Sequence, residues 1–243
     1  DKSFDADGKD LNATPNGSFY TFTSRLGLDV TGPDIGKARS SAKIETDFGG
    51  FSSSNTMLRI RQAYVNLDWG KSAVLVGITW HPLFGAVMPD VLNLSTGAPF
   101  QPFNRSPQIR YQYKANSRVQ LTASVLWQLQ YLSSGPKGMS EDYIKNSCIP
   151  EMFVGADFTP ADGWLMGLGA HMISLKPRTS TEWKEQTFKV NERMTAFSYE
   201  AHLKYSGRNY TFAAKTLMAS ALDHTALLGG YGVSSVDSRT GEQ

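Results

Sequence analysis

One cysteine, Cys148, stands in 243 residues, which excludes internal disulfides, zinc ribbons and iron–sulfur clusters. No apolar run reaches the roughly 18–20 residues that a membrane-crossing helix needs. The longest apolar-rich stretch, 164–175, is too short and holds His171 and two glycines. Net charge is only +2, so neither nucleic acid nor an anionic surface is indicated as a partner. Helical periodicity is nearly absent. Catalytic signatures are missing as well. The four histidines, His81, His171, His202 and His224, share no i, i+4 spacing, and neither HExxH nor GxSxG occurs. The glycine-rich "GGYGV" precedes no helical pattern, so it is not a phosphate cradle. No enzyme, cofactor or metal site is expected on these grounds. The opening "DKSFDADGKD" is acidic and polar and lacks an initiating Met, so the expectation is a mature or trimmed product.

What the chain does have is period-2 alternation. In "RVQLTASVLWQLQYL" (118–132), Val119, Leu121, Ala123, Val125, Trp127, Leu129 and Tyr131 alternate with an almost wholly polar set. Successive strand side chains point to opposite faces, so this segment has one apolar and one polar face. Ten such segments are predicted, at 19–30, 37–48, 57–69, 72–80, 107–114, 118–131, 151–159, 164–175, 192–205 and 209–220. Several are longer than the common globular strand of about 5–6 residues and match the roughly 9–11 of a tilted membrane-crossing strand. In "MLRIRQAYVNLDW" (57–69) the phase breaks: Leu58 and Ile60 alternate out of step with Ala63, Val65, Leu67 and Trp69. Either a bulge near Arg61 or Gln62 restores the phase, or the first residues lie beyond the membrane zone.

Alternation alone fits a soluble β-sandwich with buried apolar faces, or a closed barrel with a plugged lumen, as well as an open channel. The connections separate these readings. Tight turns at 31–37, 69–72, 114–117, 159–163 and 205–209 alternate with long connections at 49–56, 81–106, 132–150, 176–191 and beyond 221. Long loops count against a compact soluble domain, whereas outer-membrane barrels combine short turns at one end with long loops at the other. Aromatic residues make up 12% of the chain, and their placement is informative. Trp69, Tyr113, Phe158, Trp164, Tyr205 and Tyr210 flank the short turns; Tyr20, Phe22, Phe48, Trp80, Trp127 and Tyr131 lie toward the long loops. Two bands of this kind match the interfacial girdles of a transmembrane barrel. The expected fold is therefore all-β: one antiparallel transmembrane β-barrel domain over 1–243, apolar face toward lipid, polar face toward water.

Particular stretches carry a family resemblance. "SRLGLDVTGPD", "KIETDFGG", "LRIRQAYVNLDWGKSAVLVGITWHPLF" and "LGGYGV" together resemble porins of the Gram-negative outer membrane, over roughly 18–235. The resemblance implies a barrel of about 16 strands, single or assembled as a homotrimer, passing small hydrophilic solutes by passive diffusion, with the outer-membrane lipid bilayer as its surroundings. Ten strands fall short of that number, and both chain ends lie on the long-loop side. The expectation is a middle portion of a longer barrel.

A channel of this kind needs charges in a polar lumen. The candidate lining residues are Arg25, Asp29, Arg39, Lys43, Glu45, Asp47, Arg110, Lys114, Arg118, Gln128, Asp157, Glu200, Lys204 and Lys215, with Arg59 and Arg61 subject to the phase of their strand. The long connection 81–106, rich in proline and apolar residues, is the candidate constriction or cap; Asp90 and Arg105 are its charges. Cys148 reads as an incidental loop residue. Asp34, Glu141 and Asp142 could offer oxygens to calcium, but at an unspecific spacing.

Overall fold

A computed structural model describes residues 2–15, 17, 24–49, 57–88, 91 and 100–241. Fourteen strands run in chain order: β1 (Arg25–Thr31), β2 (Arg39–Asp47), β3 (Arg59–Asp68), β4 (Ser72–Trp80), β5 (Arg105–Lys114), β6 (Val119–Leu126), β7 (Ser134–Gly135), β8 (Gly138–Met139), β9 (Glu151–Phe158), β10 (Trp164–Leu175), β11 (Ser180–Trp183), β12 (Gln186–Lys189), β13 (Met194–Ser206) and β14 (Thr211–Met218). One helix, α1 (Asp142–Ser147), and two single 3-10 turns, Pro82–Phe84 and Asp223–Thr225, complete the described residues. Ten strands form one antiparallel sheet in the order β1-β2-β3-β4-β5-β6-β9-β10-β13-β14. These are the ten predicted segments. The two short hairpins, β7-β8 and β11-β12, stand within the long connections.

Local chemistry explains the tight turns. At 69–71 the Asp68 carboxylate accepts the Gly70 N–H at 2.6 Å, and Gly70 takes a φ of 81° that a side chain would strain. At 115–118 Asn116 Oδ1 accepts the amides of Arg118 and Val119 at 2.8 and 3.0 Å. The loop side is less regular. β6 stops at Leu126 rather than 131, because Gln128 turns inward and its Oε1 accepts the Ser133 amide at 2.9 Å. β5 begins two residues early, at Arg105.

The phase break in β3 is a bulge. Thr46 faces Ile60 while Glu45 faces Gln62, so Arg61 is the extra residue. Arg59 and Arg61 are thereby brought to the same face as Asp47.

Register makes the two faces explicit. Val30, Ala42, Val65, Val76, Ile109, Val125, Met152, Met172 and Phe197 are successive cross-strand partners on nine adjacent strands. A second row runs Leu67, Val74, Tyr111, Ala123, Val154, Ala170, Tyr199 and Met218. Nothing among the described residues covers these rows: Val154 is 58% and Phe197 53% exposed. The β-sandwich reading finds no support here, since no second layer among the described residues stacks on the apolar face. Soluble monomers rarely leave so contiguous an apolar face uncovered.

The opposite face carries the loops. The 3-10 turn Pro82–Phe84 lies across it, with Leu83 buried against Leu126, Phe153 and Leu222. Lys215 on β14 donates to the carbonyls of Leu83 and Phe84. Helix α1 packs Tyr143 and Ile144 onto Ile173, Leu175 and Ala196 of β10 and β13. Among the described residues, no helix is long and apolar enough to cross a membrane.

Close strand approach fixes one glycine. Gly77 has a φ of 137°, and a Cβ there would sit 2.2 Å from the Ala63 carbonyl oxygen and 2.6 Å from Tyr64 Cα. Both obstacles are backbone and cannot swing away. Gly77→Ala is expected to destabilise the folded chain by at least about 2 kcal/mol through strain and strand separation, read as a lower thermal midpoint of the folded protein in detergent.

Candidate functional site

The polar face divides into three groups. On β2 and β3, Asp47 accepts from both Arg59, at 2.8 Å, and Arg61, at 2.7 Å, while Glu45 accepts from Arg61 Nε at 2.6 Å. Asp47 and Arg61 are buried. Nearer the sheet edge, Asp29 pairs with Lys43 at 3.1 Å and Arg39 with Asp68 at 2.7 Å. These last pairs are largely exposed, worth about 0–1 kcal/mol each. Arg25 stands opposite Asp47 in register and is exposed.

In the middle, a cavity of about 240 Å³ lies between the Pro82–Ala86 segment and the sheet. Arg110 and Gln112 on β5 form one wall. Asp157 on β9 with Glu200 and His202 on β13 form the other. Arg110 is held by Gln108 Oε1 at 3.0 Å and the Trp80 carbonyl at 2.6 Å, with no carboxylate partner among the described residues. His202 bridges Glu200 at 3.2 Å and Asp157 at 3.1 Å. Arg110 and the Asp157–His202–Glu200 group thus line one small space, with the histidine between the two carboxylates. Lys215, 4.0 Å from Glu200, anchors the overlying loop through the Leu83 and Phe84 carbonyls.

The third group was missed by sequence spacing. Glu151 opens β9 and is fully buried. Its Oε2 has Nε2 of His81, His171 and His224 around it at 3.3, 3.3 and 3.2 Å. Gln128 Nε2 donates to Oε1 at 2.9 Å and to Ser133 Oγ at 2.7 Å. The histidines come from three separate segments: the end of β4, β10, and the stretch after β14. No local spacing could reveal them; the only signal was their scarcity. Burial pushes His81 down to about 4, outweighing the pull of Glu151. Burial also works against protonation of His224, but the charge and hydrogen bond of Glu151 outweigh it and raise its pKa.

Several expectations need correction. Arg105 is a strand residue, not a loop charge. It is buried, its guanidinium stacks over Trp80 at 5.1 Å and Tyr131 at 5.8 Å, and it donates to the Tyr131 hydroxyl at 2.8 Å. Arg118 sits in the turn before β6 and Lys114 at the exposed end of β5, so both lie at the rim. Gln128 belongs to the Glu151 network rather than to an open lining. Trp80, stacked on Phe84 at 4.3 Å, is not part of an exposed girdle, and Tyr131 is engaged with Arg105. By contrast Trp69, Phe158 and Tyr210 near the short turns are exposed. Asp90, Tyr20 and Phe22 lie outside the described residues.

No family model matches the sequence, and no curated protein matches it. Among solved structures, OmpTdeltaL8, a loop L8 deletion mutant of OmpT and an outer membrane protein of Vibrio cholerae, is similar, with a TM-score of 0.50 at 13% identity. Its fold is similar to that of an outer-membrane β-barrel protein. The match covers 81% of this chain but only 61% of the neighbour, so the chain spans less than two thirds of that protein's length. In this outer-membrane-type sheet the described strands leave β1 and β14 as edges.

Proposed function

We propose that the chain forms the wall of an outer-membrane channel through which small hydrophilic solutes diffuse passively. What supports this reading is that Arg110, Asp157 and Glu200 line one cavity with the Pro82–Ala86 segment, on the reverse of an uncovered apolar sheet face. Lipid offers no partners to strand edges, so β1 and β14 must pair with further strands or with each other when the protein crosses the bilayer. The apolar rows then face hydrocarbon and the charged face encloses water. Opposed charges at a narrow place orient and sort dipolar solutes, and segment 81–88 supplies the narrowing.

The test is planar-bilayer recording of the folded protein. Stepwise, ohmic conductance is expected, and Arg110→Glu should shift reversal potentials toward cation preference by several-fold in permeability ratio. Folded protein that yields no steps over many insertions overturns the channel reading. Unchanged selectivity in the variant removes Arg110 from the constriction.

A further inference from the structure

The buried Glu151 cluster is more than a hydrogen-bond network. We propose that it binds one divalent transition-metal ion, with Zn²⁺ the best match, through Glu151, His224 and the neighbouring histidines. Three nitrogens lie 3.2–3.3 Å from a single oxygen. A tetrahedral zinc site with bonds of about 2.0–2.1 Å has ligand-to-ligand edges of about 3.3–3.4 Å. The ligand atoms of His81, Glu151 and His224 also lie within 4.8 Å of one another.

Proton bookkeeping points the same way. One carboxylate oxygen has about two lone-pair sites, so three N–H donors overfill Oε2. Nδ1 of His224 is buried without a hydrogen-bond partner among the described residues, and a cation among the rings would relieve the crowding at Oε2. Nδ1 of His171 is buried and has no hydrogen-bond partner among the described residues; its Nε2 lies 3.3 Å from Glu151 but outside the set of atoms within 4.8 Å of one another, so the ring must shift to ligate. Gln128, donating to Oε1, fixes the carboxylate as outer partners of metal ligands do. His81 differs: its Nδ1 accepts the Leu83 amide at 3.2 Å, so that hydrogen bond must release before His81 can ligate.

Bound metal would tie the end of β4, the start of β9, β10 and the segment after β14 at one point. The reading is independent of conduction, and its test is direct. The full chain, folded in detergent and stripped with EDTA, is titrated with Zn²⁺ against a chromophoric chelator and separately with Co²⁺. One equivalent per chain is expected, with visible Co²⁺ absorption of tetrahedral intensity and a thermal midpoint that rises on Zn²⁺ and falls on chelation. Glu151→Gln and His224→Ala should each weaken binding about tenfold or more, whereas His202→Gln, outside the cluster, should retain it. Folded wild type without stoichiometric uptake overturns the site. So does full affinity in His224→Ala, which serves even where Glu151→Gln does not fold.

Discussion

Leu168→Lys is expected to lower the stability of the bilayer-inserted protein by about 2–4 kcal/mol, the usual cost of a cation facing mid-bilayer lipid. Leu168 is 67% exposed in the middle of β10. In water, a change at so exposed a position would fall within about ±0.5 kcal/mol. The same substitution therefore reports which solvent the apolar face meets. Gln120→Lys, on the polar face of β6, is the paired control and should cost little. Equilibrium urea unfolding in lipid vesicles gives both numbers. A near-zero cost at Leu168 would mean that the apolar rows meet water or a protein partner, and the channel reading would fall with it.

Asp47→Ala should cost about 3 kcal/mol, the lower part of the 3–5 typical for removing one partner from a buried pair. Two guanidiniums pair with this carboxylate, Arg59 at 2.8 Å and Arg61 at 2.7 Å, and Arg61 also holds Glu45 at 2.6 Å. The lower end applies because Arg59 keeps about a fifth of its side chain exposed. Adding Arg59→Met and Arg61→Met to Asp47→Ala should recover much of the loss, since a well-packed apolar replacement of a buried ion group is often neutral. Denaturant midpoints of the single and triple variants decide it. A cost below about 1 kcal/mol would show that the arginines are hydrated as exposed pairs are.

Both predictions rest on which side a residue faces; for Leu168 and Asp47 that was legible before any coordinates, whereas for Arg59 and Arg61 it waited on the phase of β3. A strand's period of two is a local property: Val119 to Tyr131 announce their faces through alternation alone. The same holds for the turns, where Asp68 and Asn116 act on amides two or three residues away. Even the Arg61 bulge left a trace, because an extra residue shifts the phase that can be read on either side of it.

The sequence by itself therefore determined the all-β class, ten main strands, and the division into an apolar and a polar face. Only the tertiary structure decided where the chain's chemistry collects. His81, Glu151, His171 and His224 meet because strands and turns distant in sequence bring them to one place on the polar face. Arg105 loses its role as a loop charge because Trp80 and Tyr131 close over it. The physical reason is range: backbone periodicity acts between near neighbours, whereas a buried polar cluster depends on the register accumulated across many strands and on loops returning over the sheet.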